Sequence, residues 1–306
     1  MGLARQIATL TGADVTGVQP IGGQHLWRHY RATLADGRDV FVKFSERLPP
    51  GLLRSEAAGL RWLAEPAAVP VPEVIGCDDQ LLVLAWVPPG PSSGAAAERF
   101  GRGLAQLHSA GPAAQRPAGE RGGHAQPFSK DMNGYGAPWP GFIASLPLDN
   151  TPTGGPDGWP DWYATRRVLP FLRRAADAGT LTGADVALVE TVTGRIGDLA
   201  GPAEPPSRIH GDLWSGNLLW SGGQGWLIDP AAHGGHRETD LAMLALFGAP
   251  HLERILAAYD EAVPLAPGWR ARVPLHQLHP LLVHVCLYGS GYAAAVRDAA
   301  RQTLAA

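Results

Sequence analysis

The stretch Arg208–Trp220, RIHGDLWSGNLLW, is apolar at both ends and polar in the middle. Its centre carries His210, Asp212 and Asn217 in a His-x-Asp-x-x-x-x-Asn frame. Asp229 follows at the end of the apolar segment GWLIDPA, which predicts a short strand. Polar groups between buried segments need a chemical reason, because a buried polar side chain is costly unless it has a partner.

This spacing is typical of kinase-type phosphoryl transfer. Asp212 is the candidate base that accepts the proton of an attacking hydroxyl. Asn217 and Asp229 are candidate ligands of Mg²⁺, a hard cation that prefers oxygen donors. Singly, an Asp before a helix is usually an N-cap, and an Asn in SGN is usually a turn residue. The combined spacing of the three residues favours the catalytic interpretation.

The first 87 residues predict a β-rich lobe with one long helix. The segments YRATL and DVFVKFS alternate around a hairpin turn at ADG, and Leu52–Ala64 has helical spacing. Lys43 lies in the middle of the second strand. Only two of the 25 basic residues are lysine, so its presence there favours phosphate binding over a solvated surface position. Glu56, on the long helix, is placed to pair with Lys43.

Two further segments of this lobe are candidate ATP contacts. Gly22 and Gly23, in IGGQ between the first two strands, lie where a phosphate-covering loop belongs, although a glycine pair alone is a weak signal. The backbone of Ala85, Trp86 and Val87, after the apolar strand QLLVLAWV, is the candidate adenine-binding linker.

The Pro- and Gly-rich break PPGPSSG marks the predicted boundary between lobes at 1–87 and 88–306. The second lobe predicts helices, with breaks expected at Pro250, Pro264–Pro267 and Pro280. Residues 111–160 predict a long ordered loop or a functional insertion. The expected fold class is α+β, with a small β-rich lobe and a larger, mainly helical one.

Composition restricts the possible functions. Apolar residues make up 45% of the chain and the net charge is -3, so the chain predicts a globular protein without a basic field for nucleic acid or membrane. The N-terminus lacks the apolar core of a signal peptide, and we expect a cytoplasmic protein. Two distant cysteines form neither a disulfide framework nor a zinc motif. We expect a monomer.

The chain resembles the fructosamine kinase family, also called ketosamine-3-kinases, within the aminoglycoside and choline kinase-like group. The resemblance covers nearly the whole chain. It is carried by HGDLWSGN, by the segments DPAAHGGHRETDLAMLALFG, DNTPTGG and DWYATRRVLPFL, and by LHPLLVHVCLYGSGY. The first two motifs are specific. The resemblance implies a two-lobed protein-kinase-like fold, ATP with Mg²⁺, and phosphorylation of a ketosamine, free or lysine-linked, at the third-carbon hydroxyl.

The acceptor site is less clearly marked. Trp214, two residues after the candidate base, could provide a flat wall for a sugar or a cation, or simply pack into the helical lobe. Asp149 and Glu238 are weaker candidates for contacting the acceptor, and Glu238 and Asp240 are expected to cap a helix. The glycine-rich loop departs from the family pattern, with His25 and Trp27 where smaller or polar residues are usual.

Two alternatives remain open. The chain could be a kinase for another small hydroxyl compound, such as an aminoglycoside, an amino alcohol or a sugar. It could also be an inactive nucleotide-binding module, although the presence of Lys43, Asp212, Asn217 and Asp229 argues against this. The pair His233 and His236 is expected to shape the loop rather than to bind a metal.

Overall fold

The computed structural model describes residues 2–23, 26–112, 134–155 and 158–306. Two predictions concern residues that lie outside this range. One is the bulky His25 in the glycine-rich loop, and the other is the long loop or insertion at 111–160, much of which is not described. None of the described helices combines the length and apolar character needed to cross a membrane.

The N-terminal part is built on an antiparallel sheet in the order β1-β2-β3-β5-β4. Its strands are β1 (Val15–Gly22), β2 (Arg28–Leu34), β3 (Asp39–Phe44), β4 (Val74–Cys77) and β5 (Leu81–Ala85). Helix α1 (Leu3–Thr11) precedes the sheet, and α2 (Leu52–Ala64) connects β3 to β4. The bounds of α2 are those predicted from its spacing.

Alternation along the strands gives the sheet two apolar faces. Val40, Val42 and Val83 pack with Ile7 of α1 on one face. Leu82 and Leu84 pack with α2 on the other. Lys43 follows Val42, so its side chain leaves the sheet on the α2 side.

The remainder of the described chain is mainly helical, as predicted. Its helices are α3 (Gly94–Ser109), α4 (Trp159–Tyr163), α5 (Leu169–Asp177), α6 (Gly183–Gly194), α7 (Ile196–Leu199), α8 (Arg237–Leu246), α9 (Leu252–Ala262), α10 (Trp269–Tyr288) and α11 (Ala293–Ala305). A π-helical segment, Ala164–Val168, joins α4 to α5.

Short strand pairs complete this part. They are β6 (Gly134–Tyr135) with β9 (Thr153–Gly154), β7 (Gly141–Ile143) with β8 (Leu146–Leu148), β10 (Ser207–Ile209) with β13 (His233–Gly235), and β11 (Leu218–Ser221) with β12 (Gln224–Leu227). The candidate residues Asp212, Trp214 and Asn217 lie between β10 and β11, and Asp229 follows β12.

The expected helix break at Pro280 is wrong, because α10 continues through it. Proline cannot donate a backbone hydrogen bond, which leaves the carbonyl four residues earlier without its helical donor. The buried Tyr163 hydroxyl compensates. It lies within hydrogen-bonding distance of the His276 and Leu275 carbonyl oxygens, at 3.1 and 3.0 Å, and accepts from the His279 N–H at 3.2 Å.

Candidate active site

One cleft collects four of the predicted polar residues. Lys43 reaches it from β3, Asp212 and Asn217 from the loop between β10 and β11, and Asp229 from the segment after β12. Lys43 is far from the other three residues in the sequence, so only the fold brings it to them.

Lys43 connects the sheet to the second half of the chain. Its ammonium donates to Glu56 Oε2 and to Asp229 Oδ1, each at 2.9 Å. Lys43 and Glu56 are both buried. Burial alone would lower the pKa of Lys43, but Asp229 and Glu56 outweigh it and raise that pKa. The lysine is therefore a fixed positive charge at the cleft, as expected of a phosphate-binding group.

Hydrogen bonds fix the loop that carries Asp212. The Asp212 backbone N–H donates to Nδ1 of His210 at 3.2 Å, and His210 Nε2 donates to the Ile228 carbonyl at 2.9 Å. Burial lowers the pKa of His210, which favours the neutral ring that this pattern requires. His210 thus ties the Asp212 loop to the segment that carries Asp229.

The two acidic segments approach each other very closely at Gly211. A Cβ atom there would lie 2.3 Å from the Ala231 carbonyl oxygen, and Gly211 has a φ of +81°. Only glycine fits this position. Asp229 itself adopts a φ of +52°, which is uncommon for a non-glycine residue and is often found at functional sites.

Asp212 and Asn217 are in direct contact. The Asn217 amide nitrogen donates to the Asp212 carboxylate at 3.1 Å and to the Asp212 carbonyl at 2.9 Å, which leaves the amide oxygen available as a ligand. Burial, followed by the nearby charge of Asp229, raises the pKa of Asp212 to about 7. Burial would also raise the pKa of Asp229, but the Lys43 ammonium lowers it. The two carboxyl groups therefore differ in acidity, which suits different roles.

A buried hydrogen-bond network, which the sequence analysis did not predict, supports the loop that carries Asp212. The Asp240 carboxylate accepts the backbone N–H groups of His210 and Gly211 at 2.7 and 3.0 Å. It also contacts His108 Nε2 at 3.2 Å, and His108 Nδ1 contacts the Tyr259 hydroxyl at 2.8 Å. Asp240 was expected only as a helix cap, and it instead anchors the catalytic loop.

The helix cap is provided by another residue. The N-cap of α8 is His236, whose Nδ1 accepts the Glu238 N–H at 3.2 Å. His236, Glu238 and His276 together have the composition of a small metal cluster. Arg272, however, binds both Glu238 carboxylate oxygens at 2.9 and 2.5 Å, so a metal ion there would face a fixed positive charge.

Of the three weaker acceptor candidates, the structure brings only Trp214 into the cleft. Glu238 is almost fully buried against Arg272, so the expectation that it contacts the acceptor is wrong. Asp149 pairs with Arg166 at the surface and accepts the Thr151 N–H at 2.9 Å. It is not among the described residues that line the cleft.

The remaining ATP candidates, Gly22, Gly23 and Ala85–Val87, are not among the described residues that line the cleft. Gly22 ends β1, and Gly23 follows it with a φ of +158°. A Cβ on Gly23 would lie 2.3 Å from the Trp27 carbonyl oxygen, so the turn requires glycine. The linker continues β5, where the Trp86 N–H donates to the Asp39 carbonyl at 3.3 Å. The roles of Gly22, Gly23 and Ala85–Val87 stay predictions.

The sheet, the helical part and this cleft define a phosphotransferase with a protein-kinase-like fold. An aminoglycoside phosphotransferase solved with ADP and hygromycin B has the same fold, with a TM-score of 0.61 over 100% of both chains at 17% identity. The α+β, kinase-like expectation is therefore confirmed.

The chain belongs to the fructosamine kinase family, whose model matches residues 2–306. A solved Thermobifida fusca structure, named "putative fructosamine-3-kinase", is 50% identical, with a TM-score of 0.89 over 100% of this chain and 99% of that one. A Thermus thermophilus protein named "Probable ketoamine kinase" is 34% identical over 90% of each chain. An Arabidopsis thaliana protein-ribulosamine 3-kinase is 29% identical over 91% of this chain and 80% of its own. The predicted family is confirmed, and the chain is an ATP-dependent phosphotransferase with an alcohol group as acceptor.

Proposed function

We propose that this protein transfers the γ-phosphoryl group of ATP to the third-carbon hydroxyl of a ketosamine, free or linked to a lysine side chain, as a step in removing sugars from amines. The observation that carries this proposal is the meeting of Lys43, Asp212, Asn217 and Asp229 in one cleft with an aromatic wall. Family membership supports the ketosamine as substrate.

Asp212 is the proposed catalytic base. As the acceptor oxygen forms a bond to the γ-phosphorus, the bond from that phosphorus to the β–γ bridging oxygen breaks and ADP leaves. Asp212 orients the hydroxyl and takes its proton. A base works best when its pKa lies near the working pH, and burial places that of Asp212 at about 7.

The nucleotide end of the cleft is assigned to Lys43, with Glu56 as the partner that positions it. Asn217 and Asp229 are the proposed Mg²⁺ ligands, because both line the cleft and supply an amide and a carboxylate oxygen, with the Asn217 N–H₂ group turned to Asp212. When bound, Mg²⁺ would neutralise charge on the phosphates. Lys43 would add a fixed charge to the same groups.

The acceptor end of the cleft is mainly aromatic and apolar. Phe142 reaches it from the β7–β8 hairpin, Trp214 from the catalytic loop, and His284 and Tyr288 from the end of α10. Aromatic faces attract cations and pack on flat sugar rings. A ketosamine carries both features, a cationic secondary amine and a polyhydroxylated chain. This favours a ketosamine over a simple sugar.

An ATP-consumption screen tests the proposal. Fructosyl- and ribulosyl-amines, a glycated lysine peptide, aminoglycosides, amino alcohols and free sugars would be compared at equal concentration. We expect ketosamines to be phosphorylated with the highest kcat/KM, and NMR of the product to show phosphorus coupled at the third carbon.

Other outcomes select the alternatives. If an aminoglycoside or an amino alcohol were the preferred substrate, the proposed acceptor would be wrong and the kinase assignment would stand. ATP binding without turnover of any acceptor would favour an inactive nucleotide-binding module. A monomer in the cytoplasm stays a prediction.

A further inference from the structure

Trp27, which follows the glycine pair Gly22 and Gly23 in the sequence, lies inside the cleft. Its indole lines the same space as Lys43 and Asp229, and the centre of the ring is 4.6 Å from Lys43 Nζ. Trp27 also packs against the apolar cluster that contains Leu52 and Leu53 of α2. The indole is therefore held over the ammonium by both apolar packing and a cation–π contact.

The contacts of Lys43 leave little room for a further ligand. A lysine ammonium has three N–H donors. Two of them bind Glu56 and Asp229, and the indole ring lies over the same ammonium. A phosphate oxygen that approaches Lys43 therefore competes with the indole for the space beside this ammonium.

A second polar group lies on β2, the strand that begins directly after Trp27. His29 of this strand lies opposite Lys43 in the β2–β3 register. Among the described residues its buried Nε2 atom has no hydrogen-bond partner. Next to Lys43 there is therefore a second nitrogen that suits a phosphate oxygen.

We propose that Trp27 competes with the phosphates of the nucleotide for Lys43 and thereby lowers the affinity for ATP. This inference rests on the proposed function, because it takes the cleft to be a nucleotide site. If the nucleotide binds only to molecules in which the indole has left Lys43, its apparent affinity is the intrinsic affinity multiplied by the fraction of such molecules.

The test measures binding of MgATP and of adenosine to the full-length wild-type protein and to Trp27→Ala by isothermal titration calorimetry. Loss of a cation–π contact predicts that Trp27→Ala binds MgATP ~2- to 30-fold more tightly. Adenosine has no phosphates, so its Kd should not change. Trp27→Leu is the matched variant, because it keeps an apolar side chain without the aromatic face. It should also tighten MgATP binding.

Three results would overturn the inference. Weaker MgATP binding in both variants would mean that the indole holds the nucleotide in place. An unchanged Kd in both variants would mean that it does not compete. An equal gain for MgATP and adenosine would place the competition at the purine rather than at the phosphates.

The proposed function and this inference can fail separately. If MgATP binding responds as expected while no ketosamine is phosphorylated, the inference stands and only the acceptor is wrong. If neither the wild type nor the variants bind MgATP, the nucleotide site is wrong and the inference falls with it. Circular dichroism of each variant would verify that it is folded.

Discussion

Replacement of Asp240 by asparagine tests whether the catalytic loop depends on the buried network beneath it. The carboxylate is fully buried and has three partners: the N–H groups of His210 and Gly211 and the His108 ring. Burial alone would raise the pKa of Asp240, but the contact with His108 and the loop N–H groups lower it, so the group is charged at neutral pH.

The Asp240→Asn side chain would keep the shape but lose the charge and one acceptor oxygen. Its amide N–H₂ would face either the Gly211 N–H or the His210 N–H together with the His108 ring, so at least one buried donor of the loop would lose its partner. Leaving a buried donor without its acceptor typically costs about 1–3 kcal/mol, and more where one partner is charged. A total stability of about 5–15 kcal/mol leaves the variant folded but weakened. We expect kcat to fall as well, because Asp212 follows the two anchored residues directly.

Urea unfolding and steady-state kinetics measure the two effects. Asp185→Asn is a matched control, since Asp185 is also buried and binds Arg297 and Thr182 at the start of α6, away from the cleft. It should lower the free energy of unfolding without lowering kcat. The reasoning would be refuted if Asp240→Asn unfolded within about 1 kcal/mol of the wild type, or if both variants lowered kcat equally.

Five further variants have outcomes that follow from the described contacts. Asp212→Asn should keep MgATP binding in calorimetry but lose ~10²–10⁴-fold in kcat, the usual contribution of a general base. Lys43→Met should raise KM for ATP, and Asp229→Ala should shift the Mg²⁺ titration of the rate; unchanged titrations in both would move the nucleotide site elsewhere. Trp214→Ala should raise KM for a fructosyl-amine more than KM for ATP, and a larger effect on ATP would place the indole at the wrong end of the cleft. Tyr163→Phe should lower the free energy of unfolding by ~1–3 kcal/mol, because it leaves buried α10 groups unpaired; an unchanged urea midpoint would contradict this.

The parts of the fold that sequence predicts well depend on short-range patterns. Helix α2 was placed correctly because its apolar residues recur at helical spacing on one face. The strands β2 and β3 were predicted by alternation around a hairpin turn, and their register brings Lys43 to the cleft. In each of these cases the deciding neighbours lie within a few residues of one another.

The errors come from contacts between distant segments. Pro280 does not end α10, and the Tyr163 hydroxyl, more than a hundred residues earlier in the sequence, lies within hydrogen-bonding distance of the carbonyl that Pro280 leaves without a helical donor. Glu238 was expected at the acceptor because of its position in the sequence, but the packing of α8 on α10 turns it toward Arg272. Asp240 lies two residues further along and points to the catalytic loop instead. Which side of a helix faces the site is decided by packing, and a single sequence carries no direct record of it.

The reaction type depends mainly on residues that are close in the sequence, whereas the acceptor depends on contacts between distant segments. Asp212 and Asn217 lie five residues apart on one loop, so the geometry of a base beside a metal ligand is largely built into a short segment, and the sequence records it. The acceptor wall has no such segment. Phe142, Trp214 and Tyr288 come from a hairpin, a loop and a helix end, and the space between them depends on how those elements pack. If these residues form the acceptor site, as proposed, the choice of acceptor depends on packing that HGDLWSGN does not encode. A substrate screen is therefore more informative for this chain than mutation of the loop that carries Asp212.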